Sequence, residues 1–178
     1  MKNIYILLIL SKMTLFGYEY DKLLLNAQVS TFPKLILLDK DISKKVINNS
    51  ITITILHHES DKYKALEIKQ MIDDKFHHNL GSYKLVIMLK SFDSSMDYDS
   101  SNAYYILKGD LQKVRQLCQL AKKRKILTFS YEIEYLKQDV LFSLALYNKI
   151  QIYINKKEHN EYNISFATVL YQIIRFFR

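Results

Sequence analysis

Four of the five histidines stand in two adjacent pairs, His57-His58 and His77-His78, and they are the residues best suited to metal chemistry. Glu59 and Asp61 follow the first pair, so His57, Glu59 and Asp61 are the weak candidate ligands for a divalent cation. Neighbouring residues on a strand point to opposite faces, so His57 and His58 cannot both turn toward one ion. Loop or surface histidines are therefore the expectation. His77-His78 falls at the end of an expected helix, where a cationic imidazole complements the macrodipole. Asp93, Asp97 and Asp99 alternate through a serine-rich stretch but lack the glycine and distal glutamate of an EF-hand, so a solvated loop is expected. Asp73-Asp74 falls inside a helix, not at a strand end, which disfavours a phospho-acceptor site. Cys118 is the one cysteine, so no intramolecular disulfide can form, and its place on the inner face of a helix predicts a buried, inert thiol. No catalytic residue, metal or cofactor is assigned by these side chains.

Scarcity of glycine supports the same conclusion. The chain of 178 residues has 3 glycines and 1 proline. Gly17, Gly81 and Gly109 are isolated, so neither a dinucleotide-binding fingerprint nor a P-loop can be built. No G-x-S-x-G nucleophile elbow is present. A non-enzymatic binding protein is the expectation. The net charge of +8 admits nucleic acid, an anionic membrane face or an acidic partner, but a lysine-rich solvated surface explains it. The densest cluster, Lys122-Lys123-Arg124-Lys125, falls where a helix should end and complements its dipole. Of the 14 tyrosines, Tyr18, Tyr20, Tyr104, Tyr105 and Tyr131 either mark an interface or cover the ends of the core.

The elements that must position these residues follow from the pattern. Lys2, the apolar run Ile4–Leu10 and a small residue at Gly17 look like an export signal over residues 1–17, leaving one α/β domain over 18–178. Asp21 can cap a helix that turns Leu24, Ala27, Phe32 and Leu35 or Ile36 inward, with Pro33 kinking or dividing it. Strands are expected at Ile51–Leu56, Lys84–Leu89, Ala103–Leu107 and Ile126–Phe129. Ser60 or Asp61 opens a helix carrying Ala65, Ile68, Ile72 and Phe76, and Asp110 caps another with Leu111, Val114, Leu117, Cys118 and Ala121 inward. Leu141–Leu146 and Lys149–Asn155 read as a hairpin, and a helix from Ser165 to Phe177 closes the chain with Phe166, Val169, Leu170, Ile173, Ile174 and Phe177 on one face. The alternation predicts an α/β fold: a mostly parallel sheet with helices on both faces and a C-terminal antiparallel hairpin.

Ile126-Leu127-Thr128-Phe129-Ser130 resembles the "LTVSD" strand of YfiR/HmsC-type periplasmic proteins. Ile152-Tyr153-Ile154-Asn155 resembles that family's "(F/I)-x-I-N" strand, and Asn163-Ile164-Ser165-Phe166 with Val169-Leu170 its closing helix. Asn26-Ala27-Gln28 through Phe32-Pro33-Lys34 resembles its first helix. The motif positions are thus Leu127, Thr128, Ser130, Ile154, Asn155, Ser165 and Leu170. Tyr131 stands where the family has Asp, Lys137-Gln138-Asp139 replaces glycines before the hairpin, and the cysteine pairs of some members are absent. The resemblance implies a periplasmic regulator that contacts the periplasmic part of a membrane signalling enzyme, a diguanylate cyclase or sensor kinase. A small-molecule-binding periplasmic accessory protein is the alternative. A basic cytoplasmic nucleic-acid-binding domain is the second alternative; it needs the N-terminus to be a strand, so nucleic acid is not an expected partner. A homodimer stays open. Export predicts that the protein recovered from the periplasm begins near Tyr18; N-terminal sequencing that finds Met1 intact would remove this expectation.

Overall fold

The β-branched run that opens at Ser50 forms the strand around which the domain is built. In the computed structural model, which describes residues 22–92 and 101–177, β1 (Ser50–His57) pairs in parallel with β3 (Tyr83–Ser91) on one side and β4 (Ala103–Ile106) on the other. Beyond β4 lie β5 (Leu127–Ser130), parallel to β4, and β6 (Phe142–Leu146), parallel to β5. β7 (Ile150–Asn155) returns antiparallel to β6, and β8 (Ile174–Phe177) lies parallel to β7. A short β2 (Asn79–Leu80) pairs antiparallel with β3, giving the order β2-β3-β1-β4-β5-β6-β7-β8.

Helix α1 (residues 22–36) and helix α3 (Lys62–Phe76) cover one face of this sheet, with the single-turn α2 (Ile42–Lys45) between them in the chain. There Leu25, Phe32, Ala65, Ile68 and Ile72 pack with Ile51, Ile53, Ile55, Tyr105 and Phe129. Helix α4 (Leu111–Lys123) covers the other, where Val114, Leu117, Cys118 and Ala121 meet Leu56, Tyr104 and Ile106. A parallel strand with helices on both sides has no solvent face, and all four residues of β4 are buried. The tyrosines Tyr104 and Tyr105 are therefore core residues on opposite faces, not an interface. An aromatic row ties the layers together: Phe32 stacks on Phe129 at 4.8 Å, Phe129 on Phe142 at 5.4 Å, and Phe142 meets Phe166 edge-on at 5.7 Å. Full burial of each such side chain contributes roughly 1.5–3 kcal/mol.

The mostly parallel sheet, the helices on both faces and the β6–β7 hairpin agree with the sequence. Three local expectations are corrected. Pro33 does not divide α1, which stays helical to residue 36 and then closes with short bonds from Leu37 and Leu38 to the carbonyls of Lys34 and Leu35. Leu111, expected inside, is 51% exposed, because the first residue of α4 lies beyond the sheet's cover. The expected single helix from Ser165 to Phe177 is replaced by α6 (Thr168–Ile173) and β8, and α5 (Lys156–Tyr162) precedes them. Ile173, Ile174 and Phe177 fit a helical stripe, yet they are β-branched or aromatic, and the segment finds an unpaired strand edge in β7. The cap proposed for Asp21 lies outside the described residues.

Thr128 and Asn155 join these pieces. The Thr128 hydroxyl accepts from the Leu141 N–H at 2.8 Å and fixes the approach to β6. Asn155 caps α5, its side-chain oxygen accepting from Glu158 N at 3.1 Å while its amide donates to the Leu136 carbonyl at 2.7 Å. This cap draws Glu158 inward, where its side chain is 0% exposed. Lys122, reaching across from α4, places its ammonium 3.0 Å from one Glu158 oxygen and also pairs with Glu161. A buried carboxylate left without its cation is strongly destabilising. Lys157 lies 3.6 Å from the other Glu158 oxygen and stays in place, so Lys122→Met is expected to cost about 3 kcal/mol in denaturant unfolding, the low end of the range for breaking a buried pair. Adding Glu158→Gln to that variant should restore most of the loss.

Candidate functional site

In an open α/β sheet the connections leave in opposite directions at one point, and the strand ends open a crevice there. Here that point lies between β1 and β4. From β1 the chain passes through α3 to β3 on one side; from β4 it passes through α4 to β5 on the other. Between these departures is a cavity of about 160 Å³ lined by Asp61, Lys64, Leu107, Lys108, Tyr131 and Glu132. Three strand ends supply the lining: Asp61 and Lys64 follow β1, Leu107 and Lys108 follow β4, and Tyr131 and Glu132 follow β5.

The rim is held by hydrogen bonds. Leu107 N donates to Leu56 O at 2.9 Å and Tyr131 N to Ile106 O at 2.9 Å, so the ladder continues past the last strand residues. The Ser130 hydroxyl donates to Glu132 O at 2.8 Å, and Ser143 donates to Ser130 O at 3.0 Å. From α1, the fully buried Gln28 donates to Tyr131 O at 2.9 Å and accepts from the Tyr105 hydroxyl. The start of α3 is drawn in by Asp61 N, which donates to His58 O at 2.9 Å. Gly109 has a packing reason: a Cβ there would come within 2.7 Å of the Phe92 ring. Its N–H donates to the Tyr135 hydroxyl, which donates in turn to the Gly109 carbonyl, both at 3.1 Å.

Two carboxylates, two ammonium groups and a phenol around Leu107 form a rim suited to binding. An activated nucleophile is not among them. The Ser130 hydroxyl is committed to a carbonyl. Cys118 lies on the opposite face, where burial first, and then Asp139 and Glu158, push its thiol well above the usual range, so it stays protonated. Burial likewise raises the Tyr105 hydroxyl and keeps it a donor to Gln28.

The sequence candidates are placed as follows. His57 is not at the surface as expected: it ends β1, is 4% exposed, and its Nδ1 lies 2.9 Å from His58 O. His58 and Glu59 are exposed and Asp61 is half-buried at the crevice. Among the described residues no group of three or more His, Cys, Asp or Glu side chains is arranged to hold a metal ion. His77 and His78 end α3 in left-handed conformation, with His78 Nδ1 3.4 Å from an Asp73 oxygen. Leu127, Ile154 and Leu170 are core residues, and Ser165 is exposed with its carbonyl accepting from Lys40 N at 2.9 Å. Residues 1–17, Tyr18, Tyr20 and Asp93, Asp97 and Asp99 lie outside the described residues. Lys64, Leu107, Lys108 and Glu132 were not singled out in the sequence; the signal available for them was their place just beyond a strand. Among the described residues no helix is long and apolar enough to cross a membrane.

No family model and no curated protein matches this chain. Solved structures do. A conserved domain protein from Vibrio cholerae aligns at 14% identity with a TM-score of 0.52, covering 78% of this chain and 58% of that one. An ABC domain from Streptococcus pneumonia, solved in complex with L-Trp, aligns at 12% identity with a TM-score of 0.51, covering 80% of this chain and 60% of that one. At these identities the likeness is one of α/β fold. The chain spans less than two thirds of the length of either structure.

The packing at Gly109, just past the crevice residues Leu107 and Lys108, gives a direct test. Gly109→Ala drives a methyl group into the Phe92 ring and should destabilise the fold by about 1–3 kcal/mol. Adding Phe92→Leu should relieve part of that cost, measured by a double-mutant cycle of urea unfolding.

Proposed function

We propose that this protein is a periplasmic regulatory protein of the YfiR/HmsC type, a binding domain that acts by contact on the periplasmic part of a membrane signalling enzyme such as a diguanylate cyclase or sensor kinase. The observation that supports this reading most is the crevice between the ends of β1 and β4: a charged, phenol-bearing rim held by buried hydrogen bonds and presenting no activated nucleophile. The resemblance adds to it, because Thr128 and Asn155 of the matching motifs are the residues that frame β5, β6 and α5 in this fold. Side chains carried on a fixed backbone at a strand-end crevice are how a scaffold of this class offers a surface to a partner.

A second reading, a small-molecule-binding accessory protein, is favoured by the cavity itself. Asp61 and Glu132 opposite Lys64 and Lys108 suit a small ligand that carries both charges, and one fold neighbour was solved with an amino acid. The readings are compatible, since a regulator can respond to a ligand.

Affinity capture from detergent-solubilised membranes separates them. Tagged protein should retain a membrane sensor enzyme, and Tyr131→Ala with Glu132→Lys should release it. Capture without any such enzyme would reject the regulatory reading. In parallel, a panel of amino acids should raise the melting temperature if the cavity is a ligand site, and a flat response at millimolar ligand would reject the second.

A further inference from the structure

The opposite end of the sheet carries a different surface. Two segments feed the amino ends of the central strands: residues 37–49 lead into β1, and residues 123–126 lead from α4 into β5. They carry Lys40, Lys44, Lys45, Lys123, Arg124 and Lys125 against the acids Asp39 and Asp41. Neither acid offers free negative charge. Asp39 is buried and paired with Lys45. Asp41 is held below the usual carboxylate range by its bond to Lys44 and, more weakly, by Lys45 and Lys125. That shared influence places Lys44, Lys45 and Lys125 together, and Lys45 also donates to the Lys125 carbonyl at 3.3 Å.

These residues border a hollow of about 430 Å³ lined by Lys45, Ser101, Asn102, Arg124, Lys125 and Ile126. Asn102 braces it, its side-chain oxygen accepting from Thr52 N at 2.8 Å and its amide donating to Lys45 O at 2.9 Å. Two residues beyond Lys45, Ile47 projects from the tight turn into β1 and is 56% exposed. A braced cationic hollow beside a protruding aliphatic side chain fits a layered partner with anionic phosphates above hydrocarbon. A nucleic acid would gain from the charge but has no use for an aliphatic side chain where aromatic groups are needed for stacking.

We infer that the amino end of the sheet docks on an anionic phospholipid surface, with Arg124 and Lys125 on the wall of the hollow seating headgroup phosphate and Ile47 entering the interface. This surface lies at the opposite end of the strands from the crevice, so its test stands apart from the proposed regulatory function. Purified protein is sedimented with vesicles of phosphatidylglycerol mixed with phosphatidylcholine, and with phosphatidylcholine alone. Binding should require phosphatidylglycerol and weaken with salt. Loss of each basic residue near a charged leaflet lowers affinity about fivefold, so Arg124→Glu with Lys125→Glu should lower it well over tenfold. Ile47→Ser should weaken binding with unchanged salt dependence. Lys62→Glu with Lys149→Glu makes the same change in net charge at the carboxyl end and should leave binding near that of the unsubstituted protein. Each variant is checked by its thermal melt, all substituted residues apart from Ile47 and Arg124 being exposed lysines. Equal binding to phosphatidylcholine alone, equal losses from the two double reversals, or tighter retention on duplex DNA than on vesicles at physiological salt would overturn the inference.

Discussion

The hydroxyl of Tyr105 sits in the middle of an apolar core, and the fold depends on how it is satisfied. Burying a phenol without a partner is costly. Gln28 meets the cost from α1, accepting from Tyr105 with one end of its carboxamide and donating to the Tyr131 carbonyl with the other. A side chain committed at both ends cannot rotate or slide, so it fixes the rotation and height of α1 over the sheet. Phe32, one turn further on, then falls against Phe129 and the edge of Tyr105, and the aromatic row continues through Phe142 to Phe166. The same carboxamide anchors Tyr131 at the crevice rim, so the core and the candidate site share one polar link.

Much of this was legible because local preference and global packing agree in the central elements. β1, β3, β4 and β5 are short apolar runs set between turn signals, and α3 and α4 carry clean inward stripes. Agreement fails in the last quarter of the chain. Phe166, Val169, Leu170, Ile173, Ile174 and Phe177 fit a helical stripe as well as they fit α6 followed by β8, and what decides is the open edge of β7, a partner distant in sequence. Pro33 poses a related case: it withholds one N–H from the ladder, yet Phe32, Leu35 and Ile36 on either side are packed in the core, and the helix closes within a turn of it.

Buried polar groups were the least legible. Lys156-Lys157-Glu158-His159 is a polar run, yet Glu158 is enclosed between α5 and α4 and answered by Lys122 and Lys157. A signal was present: Asn155 followed three residues later by Glu158 is a capping pattern that marks a helix start. Adjacent histidines on a strand cannot both face one ion, so surface or loop positions are expected for His57 and His58, but β1 runs one residue further than its apolar stretch and carries His57 inward. For the candidate site, the rule that strand ends carry function brings only Asp61 into view, as a neighbour of the His57-His58 pair at the end of the first strand. It could not choose Lys64, Lys108 or Glu132, which become neighbours only when three separate loops converge.

The basic cluster after α4 shows how one run of charge can serve unlike purposes. Helix dipole alone would account for Lys122, Lys123 and Arg124, since cations favour a helix C-terminus. The side chains diverge from that common origin. Lys122 turns inward along α5 and stabilises a buried carboxylate, whereas Arg124 and Lys125 turn to the hollow at the amino end of the sheet. Dipole complementarity is worth about 0.3–1 kcal/mol at an exposed site, too little to require four consecutive cations. The inner member of the run is explained by Glu158, and the outer members by a surface where Asp39 and Asp41 are both neutralised from within. Net charge, an average over the chain, conceals this division within one run of four cations.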